Sequence, residues 1–168
     1  MDGPMPAGDA LNAFVEATLE PVVFRKAGVR LPIVQAALQS PRDAAQYLLR
    51  HHANIPVTIY RADRSTRGHF HYTPAIDGFN FTGSRGDLKQ VLDELLGGVD
   101  DALYVGSTDL GIFFPEMGPA NDPGVEGVQG EDGAPVTASL WMGNRTVTAA
   151  HYDHSNNCAL CAAGRRRF

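Results

Sequence analysis

Residues 139–168 read SLWMGNRTVTAAHYDHSNNCALCAAGRRRF, and the character of this stretch decides what kind of fold the chain makes. It is built of short β runs and turns: Leu140-Trp141-Met142, a Gly143-Asn144 turn signal, Thr146 to Ala150, then Asn157 to Ala163. Thr146 to Ala150 and Cys158 to Arg167 are expected as strands. In extended backbone, residues two apart project to the same side, so His151 and Asp153 bring an imidazole and a carboxylate to one face. Two histidines and one carboxylate on one face of a metal leave its other positions open, which is how non-haem iron(II) centres take up cosubstrate and oxygen. His151 and Asp153 would be two of those three ligands. By itself a His-x-Asp pair is also common as a solvated or hydrogen-bonded surface pair.

Moving outward, the N-terminal side has a different texture. Leu11, Phe14, Val15 and Leu19 recur at helical spacing behind Asp9, which is placed to cap a short amphipathic helix. Pro21-Val22-Val23-Phe24 reads as a strand entered through a proline. Ser40-Pro41 supplies an N-cap and a first helical residue for a helix running to about Arg50, with Ala44, Tyr47 and Leu48 on its apolar face. Val57 to Tyr60 is a strand. Residues 61–86 are polar and glycine-rich yet hold Phe70, Tyr72, Phe79 and Phe81, which predicts a loop packed down by its rings. Within it, His69-Phe70-His71 sends two imidazoles to one side of an extended segment, which a polar loop face also explains. Asp87 and Leu88 open a helix with Leu88, Val91, Leu92, Leu95 and Leu96 on one face, ended by Gly97-Gly98. Ala102 to Val105 resumes strand character, and residues 117–135, crowded with Gly, Pro, Asp and Asn, form a long surface loop. Helices first and strands last predict an α+β chain.

The bulk properties narrow the function. With 168 residues, 43% of them hydrophobic and 20% charged, the chain can bury one ordinary core and is not expected to be disordered. Fourteen Lys plus Arg against nineteen Asp plus Glu leave a net charge of −5, which opposes nucleic acid as a partner. The start, Met1-Asp2-Gly3-Pro4, has no basic region followed by an apolar run, and no stretch is long enough to span a bilayer. Cys158 and Cys161 make no disulfide framework. A cytoplasmic protein without a membrane partner is expected.

Taken whole, residues 139–168 resemble the signature of the cupin-like JmjC family. The matching features are a Trp-x-Gly turn at Trp141 to Gly143, Thr-x-x-His-x-Asp from Thr148 to Asp153, an asparagine four residues later at Asn157, and Gly164 two residues before Arg166, ahead of Phe168. The resemblance extends back through Phe79-Asn80-Phe81 and Pro21 to Phe24. It implies N-terminal helices packed on part of a double-stranded β-helix, the cupin or jelly-roll architecture. Residues 1–168 would be one incomplete domain, with a mixed helical and strand part over 1–100 and the start of the β-helix core over 101–168. It also implies an oxygenase dependent on Fe(II) and 2-oxoglutarate, hydroxylating a protein side chain or a small molecule. In that reading 2-oxoglutarate, oxygen and the hydroxylated substrate are the partners.

Carried over position by position, the resemblance makes His151 and Asp153 iron ligands and Thr148 a hydroxyl donor to the 2-oxoglutarate carboxylate, with Asn157 a polar contact close by. Arg166 stands where the family commonly has lysine; its guanidinium can pair with the distal carboxylate bidentately, although the exchange is not conservative. Tyr104 matches a tyrosine that often faces the same carboxylate, and an ordinary core tyrosine is the competing reading. His71 and Tyr72 fall in an aromatic-rich segment near the site mouth and are candidates to face substrate. The family's second ligand histidine lies on a later strand and has no counterpart by Phe168. The 168-residue chain alone is therefore expected to be inactive unless a stand-in such as His154 completes the triad.

Two other functions compete. One is a non-catalytic cupin-like binding module with vestigial metal residues. The other is a small structural zinc site, since His151, His154, Cys158 and Cys161 spell His-x2-His-x3-Cys-x2-Cys. Against zinc, no Gly or Pro between the cysteines forms a knuckle, and their odd spacing on a strand sends them to opposite faces. Buried cysteines acting as small hydrophobes are expected instead.

Overall fold

A computed structural model of the chain describes residues 5–125, 136–151, 153 and 156–168. Contacts divide them into two compact units, one drawn from residues 1–48, 116–137 and 153–168, the other from 49–115 and 138–152.

The first unit is helical. Helix α1 (Asp9–Ala17) buries Leu11 and sets Phe14 edge-on to Phe24, with ring centroids 5.4 Å apart. It stops short of Leu19 because Thr18 turns extended and its hydroxyl donates to the Phe14 carbonyl at 2.6 Å. The expected strand at Pro21 to Phe24 does not form: these residues belong to none of the strands among the described residues, and Val23 is exposed. Helix α2 (Pro32–Gln39), which the apolar spacing did not single out, starts with proline at its first turn, where a missing N–H costs nothing. Helix α3 (Pro41–His51) begins as expected. The Ser40 hydroxyl accepts from the Asp43 N–H at 3.0 Å and donates back to the Asp43 carboxylate, and Ala44, Ala45, Tyr47 and Leu48 are buried. Asn121 ties this unit together from within. Its side-chain oxygen accepts from the Ile33 N–H at 2.8 Å, and its amide donates to the Tyr47 hydroxyl at 2.8 Å and the Met117 carbonyl at 2.9 Å. Burial makes each of these bonds expensive to lose.

The second unit is a sheet with a helix. Strands β1 (Val57–Ala62), β3 (Thr82–Gly86), β4 (Ala102–Asp109) and β5 (Ser139–Gly143) form an antiparallel sheet in the order β3-β1-β4-β5; β2 (His69–Phe70) pairs in parallel with β6 (Val147–Thr148). Alternation puts Val57 and Ile59 of β1 inside, beside Leu103 and Val105 of β4. Helix α4 (Leu88–Gly97) contributes Leu88, Val91 and Leu92; Asp87 caps it through the Gln90 N–H at 3.0 Å, and Gly98 closes it at φ +78°. Arg61 joins β1 to α4 through Glu94 at 2.8 Å. The four-residue helix α5 (Leu110–Phe113) ends against Phe114, which is wholly buried. The segment expected as a packed-down loop thus holds two strands, because the backbone of residues 82–86 lines up antiparallel to 57–61. Among the described residues this is a mixed helix and antiparallel-sheet fold without a closed barrel.

His52 is buried against Phe114, ring centroids 5.3 Å apart, with its Nε2 lacking a hydrogen-bond partner. Burial holds its pKa below the usual imidazole value, opposed by its hydrogen bond to the Ile55 backbone and by the Asp87 carboxylate. With the folded pKa below the unfolded value of about 6.5, the neutral ring's contribution is complete above pH 6.5 and is lost as the pH falls from there through the folded pKa. The melting temperature should therefore fall between about pH 7 and pH 5, and less steeply in His52→Phe. Equal slopes for the two proteins would remove this account.

Candidate functional site

The turn at Gly143-Asn144 is built by contacts that require those residues. Leu103 donates its N–H to the Asn144 side-chain oxygen at 3.1 Å, and the Asn144 amide donates to the Asp101 carbonyl at 2.7 Å. A Cβ on Gly143 would lie 2.7 Å from the Leu103 carbonyl oxygen, so nothing larger fits. From this turn the chain enters β6, held to β2 by the Val147 N–H on the Gly68 carbonyl at 2.8 Å. Gly68 is at φ +84°, and a Cβ there would sit 1.8 Å from the Arg145 carbonyl oxygen. The sharp turn after Gly143 and the close approach at Gly68 thus deliver the strand that leads to His151.

Thr148 is exposed on β6, in register with Phe70 of β2. The ladder ends there, earlier than the expected run to Ala150. His151 is exposed, and its Nδ1 lies 2.8 Å from the Ala149 carbonyl, an arrangement that suits an Nδ1–H donor and leaves Nε2 as the lone-pair nitrogen. In the first unit, Asp153 accepts from the Asn157 side-chain amide at 2.9 Å. Asn157 and Asp153 are thus brought together, and both are exposed.

Tyr104 is half-buried on β4 among Tyr60, Phe70 and Trp141, with ring centroids 6.5, 5.7 and 5.9 Å away. Close packing with Trp141 depends on Gly106, whose Cβ would approach that ring to 3.0 Å. Arg166 lies over the ring of Phe168 at 5.0 Å. His71 and Tyr72 are exposed on a hairpin. His154 lies outside the described residues, and with it the full zinc quartet.

Two expectations for the C-terminal stretch are corrected. Cys158 to Arg167 is irregular, without ladder hydrogen bonds, so the odd-spacing argument about strand faces does not apply. Both cysteines are exposed free thiols and not buried hydrophobes; Cys161 lies 3.7 Å from the Ala163 carbonyl. Among the described residues no three His, Cys, Asp or Glu side chains converge to hold a metal. No helix among them is long and apolar enough to cross a membrane. The buried Asn121 was not anticipated from the sequence, and neither was Asn80, which bonds the backbone on both sides of Phe70. Only the dense Gly and Asn punctuation around them hinted at either.

A sequence model of the cupin-like domain family matches residues 9–168. No curated protein and no solved structure matches the chain.

Proposed function

Since this chain belongs to the cupin-like domain family, a family that includes 2-oxoglutarate oxygenases, we propose that it serves iron(II)- and 2-oxoglutarate-dependent hydroxylation of a protein side chain or small molecule. His151 and Asp153 are two of the three protein ligands. The donor set fits iron(II) in kind, an imidazole nitrogen and a carboxylate oxygen. The observation that carries the reading is the pair of hydrogen bonds behind those donors. An Nδ1–H on the Ala149 carbonyl selects the tautomer in which Nε2 can ligate, and the Asn157 amide on Asp153 orients the carboxylate.

With iron(II) and 2-oxoglutarate held there, dioxygen would be the oxidant, one oxygen atom going into the hydroxylated product and the other into succinate as 2-oxoglutarate loses carbon dioxide. The chain's own residues bind and orient. Thr148 offers a hydroxyl donor to a cosubstrate carboxylate, Arg166 a guanidinium for bidentate pairing with the distal carboxylate, and Asn157 a polar contact beside Asp153. Tyr104 joins this set through its phenol, a hydroxyl able to donate to a carboxylate oxygen.

The test is succinate release from 2-oxoglutarate by a version of the protein extended to supply the third ligand, measured with iron(II), without it, and with zinc in its place; the 168-residue chain alone is expected to release little. Release that depends on iron(II) and ceases with zinc is expected. Equal release in all three would overturn the reading. Tyr104→Phe should raise the KM for 2-oxoglutarate by about tenfold, the worth of one hydrogen bond to a charged group, with kcat little changed.

A further inference from the structure

Beside the turn that precedes β2 lies a cleft of about 560 Å³, lined by Ser65, Thr66, Arg67, His69, His71, Asn80 and a proline. The chain carries nineteen carboxylate residues against fourteen Lys and Arg, yet no carboxylate lines this cleft. Asp63 and Asp77, near these residues in sequence, stay outside the lining and are each held by a hydrogen bond. Asp63 accepts from the Ser65 N–H at 2.8 Å, and Asp77 from the Thr73 hydroxyl at 2.5 Å.

The cleft follows from local structure. The Asn80 side chain accepts from the His71 N–H at 3.0 Å and donates to the His69 carbonyl at 2.8 Å, clamping the backbone on either side of Phe70. Phe70 is buried, so the i and i+2 histidines emerge together, ring centroids 6.4 Å apart. Arg67 joins them from the preceding turn, where φ is +52°. The His71 Nδ1 is 2.5 Å from the Tyr72 carbonyl, so Nδ1 carries a proton, and the ring offers Nε2–H to a carboxylate in its imidazolium form.

The hairpin after His71 adds an apolar rim. Tyr72 and Phe79 face each other across it with rings stacked at 5.0 Å, yet each remains more than half exposed. Its tip holds Ile76 at φ +56° and 76% exposed. A β-branched residue is strained in the left-handed region, and such strain concentrates where a surface meets a ligand.

We propose that this cleft is a docking subsite for an acidic peptide: Arg67, His69 and His71 take the carboxylate of an Asp or Glu side chain, and Tyr72 and Phe79 take the apolar side chain next to it. As a statement about the hydroxylated substrate it rests on the oxygenase reading above, narrowing the substrate to protein. As a statement about binding it stands alone.

The test is calorimetric titration of the whole chain at about pH 5.5, where glutamate is ionised and histidines are largely protonated, with a blocked pentapeptide holding one glutamate between two leucines, and with its glutamine counterpart. The glutamate peptide should bind about tenfold more tightly at low salt and lose that advantage at high salt. Arg67→Gln, and His69→Gln with His71→Gln, should each erase the advantage without lowering the melting temperature, because all three side chains are exposed. Tyr72→Ser should weaken both peptides alike. Equal binding of the two peptides, absence of binding, or discrimination that survives in Arg67→Gln would each overturn the proposal. A negative titration with iron-dependent succinate release intact would sink the subsite and leave the oxygenase reading standing; the opposite pair of results would do the reverse.

Discussion

In a version of the protein extended to supply the third ligand, replacing His151 by Ala is expected to lower iron(II) affinity by about a hundredfold or more and to end 2-oxoglutarate-dependent succinate release. Losing a partner that only orients a ligand typically costs 10- to 100-fold in metal affinity, so losing the ligand itself costs at least the upper end. Asn157→Ala gives the comparison. The Asp153 carboxylate would keep its charge and lose the amide that orients it, so a drop of about tenfold is expected. Folding should be untouched in both, because His151 and Asn157 are exposed and a surface substitution away from special features stays within about 0.5 kcal/mol. Affinity read by titration beside a thermal melt separates the two effects. Undiminished iron binding in His151→Ala would mean that the metal sits elsewhere in the chain.

Phe114→Ala is expected to be among the most damaging single changes to stability, costing about 3 to 5 kcal/mol. Phe114 has no exposed surface, follows the short helix α5, and packs its ring on His52. The Phe113 carbonyl just before it accepts from the Ala53 N–H at 2.9 Å, so the backbone is pinned and collapse around a cavity is restricted. The new space would also leave the unpartnered His52 Nε2 without its packing. Urea denaturation should show a lower midpoint at an unchanged slope. A loss below about 1 kcal/mol would mean that this core relaxes freely, contrary to the close packing of protein interiors.

Local chemistry made some elements legible. Ser40-Pro41 and Asp87 with Gly97-Gly98 announced two helices, because capping side chains and a left-handed glycine satisfy backbone groups within a few residues. Gly143-Asn144 announced a turn for the same reason. Other elements were misread because their outcome depends on partners distant in sequence. Pro21 to Phe24 has the composition of a strand and forms none; residues 82–86, Thr-Gly-Ser-Arg-Gly, have poor strand composition and pair in full register with β1. Strand propensity describes fit to a pleated surface and supplies no edge to pair with.

At the site the division is similar. Sequence by itself determined the donor types, the His-x-Asp spacing, the asparagine four residues on and the family that these identify, because spacing along a chain is a covalent property. Only the tertiary structure decided that the His151 Nδ1 meets the Ala149 carbonyl, that Asn157 reaches Asp153, that Tyr104 joins a ring cluster, and that Asn80 clamps His69 and His71 onto one cleft. Those are choices among rotamers, tautomers and long-range partners. The Tyr104 cluster and the Asn80 clamp join residues well separated in the chain. The His151 and Asn157 bonds instead span two and four residues and depend on which rotamer and tautomer the folded backbone favours, a choice that spacing alone does not encode.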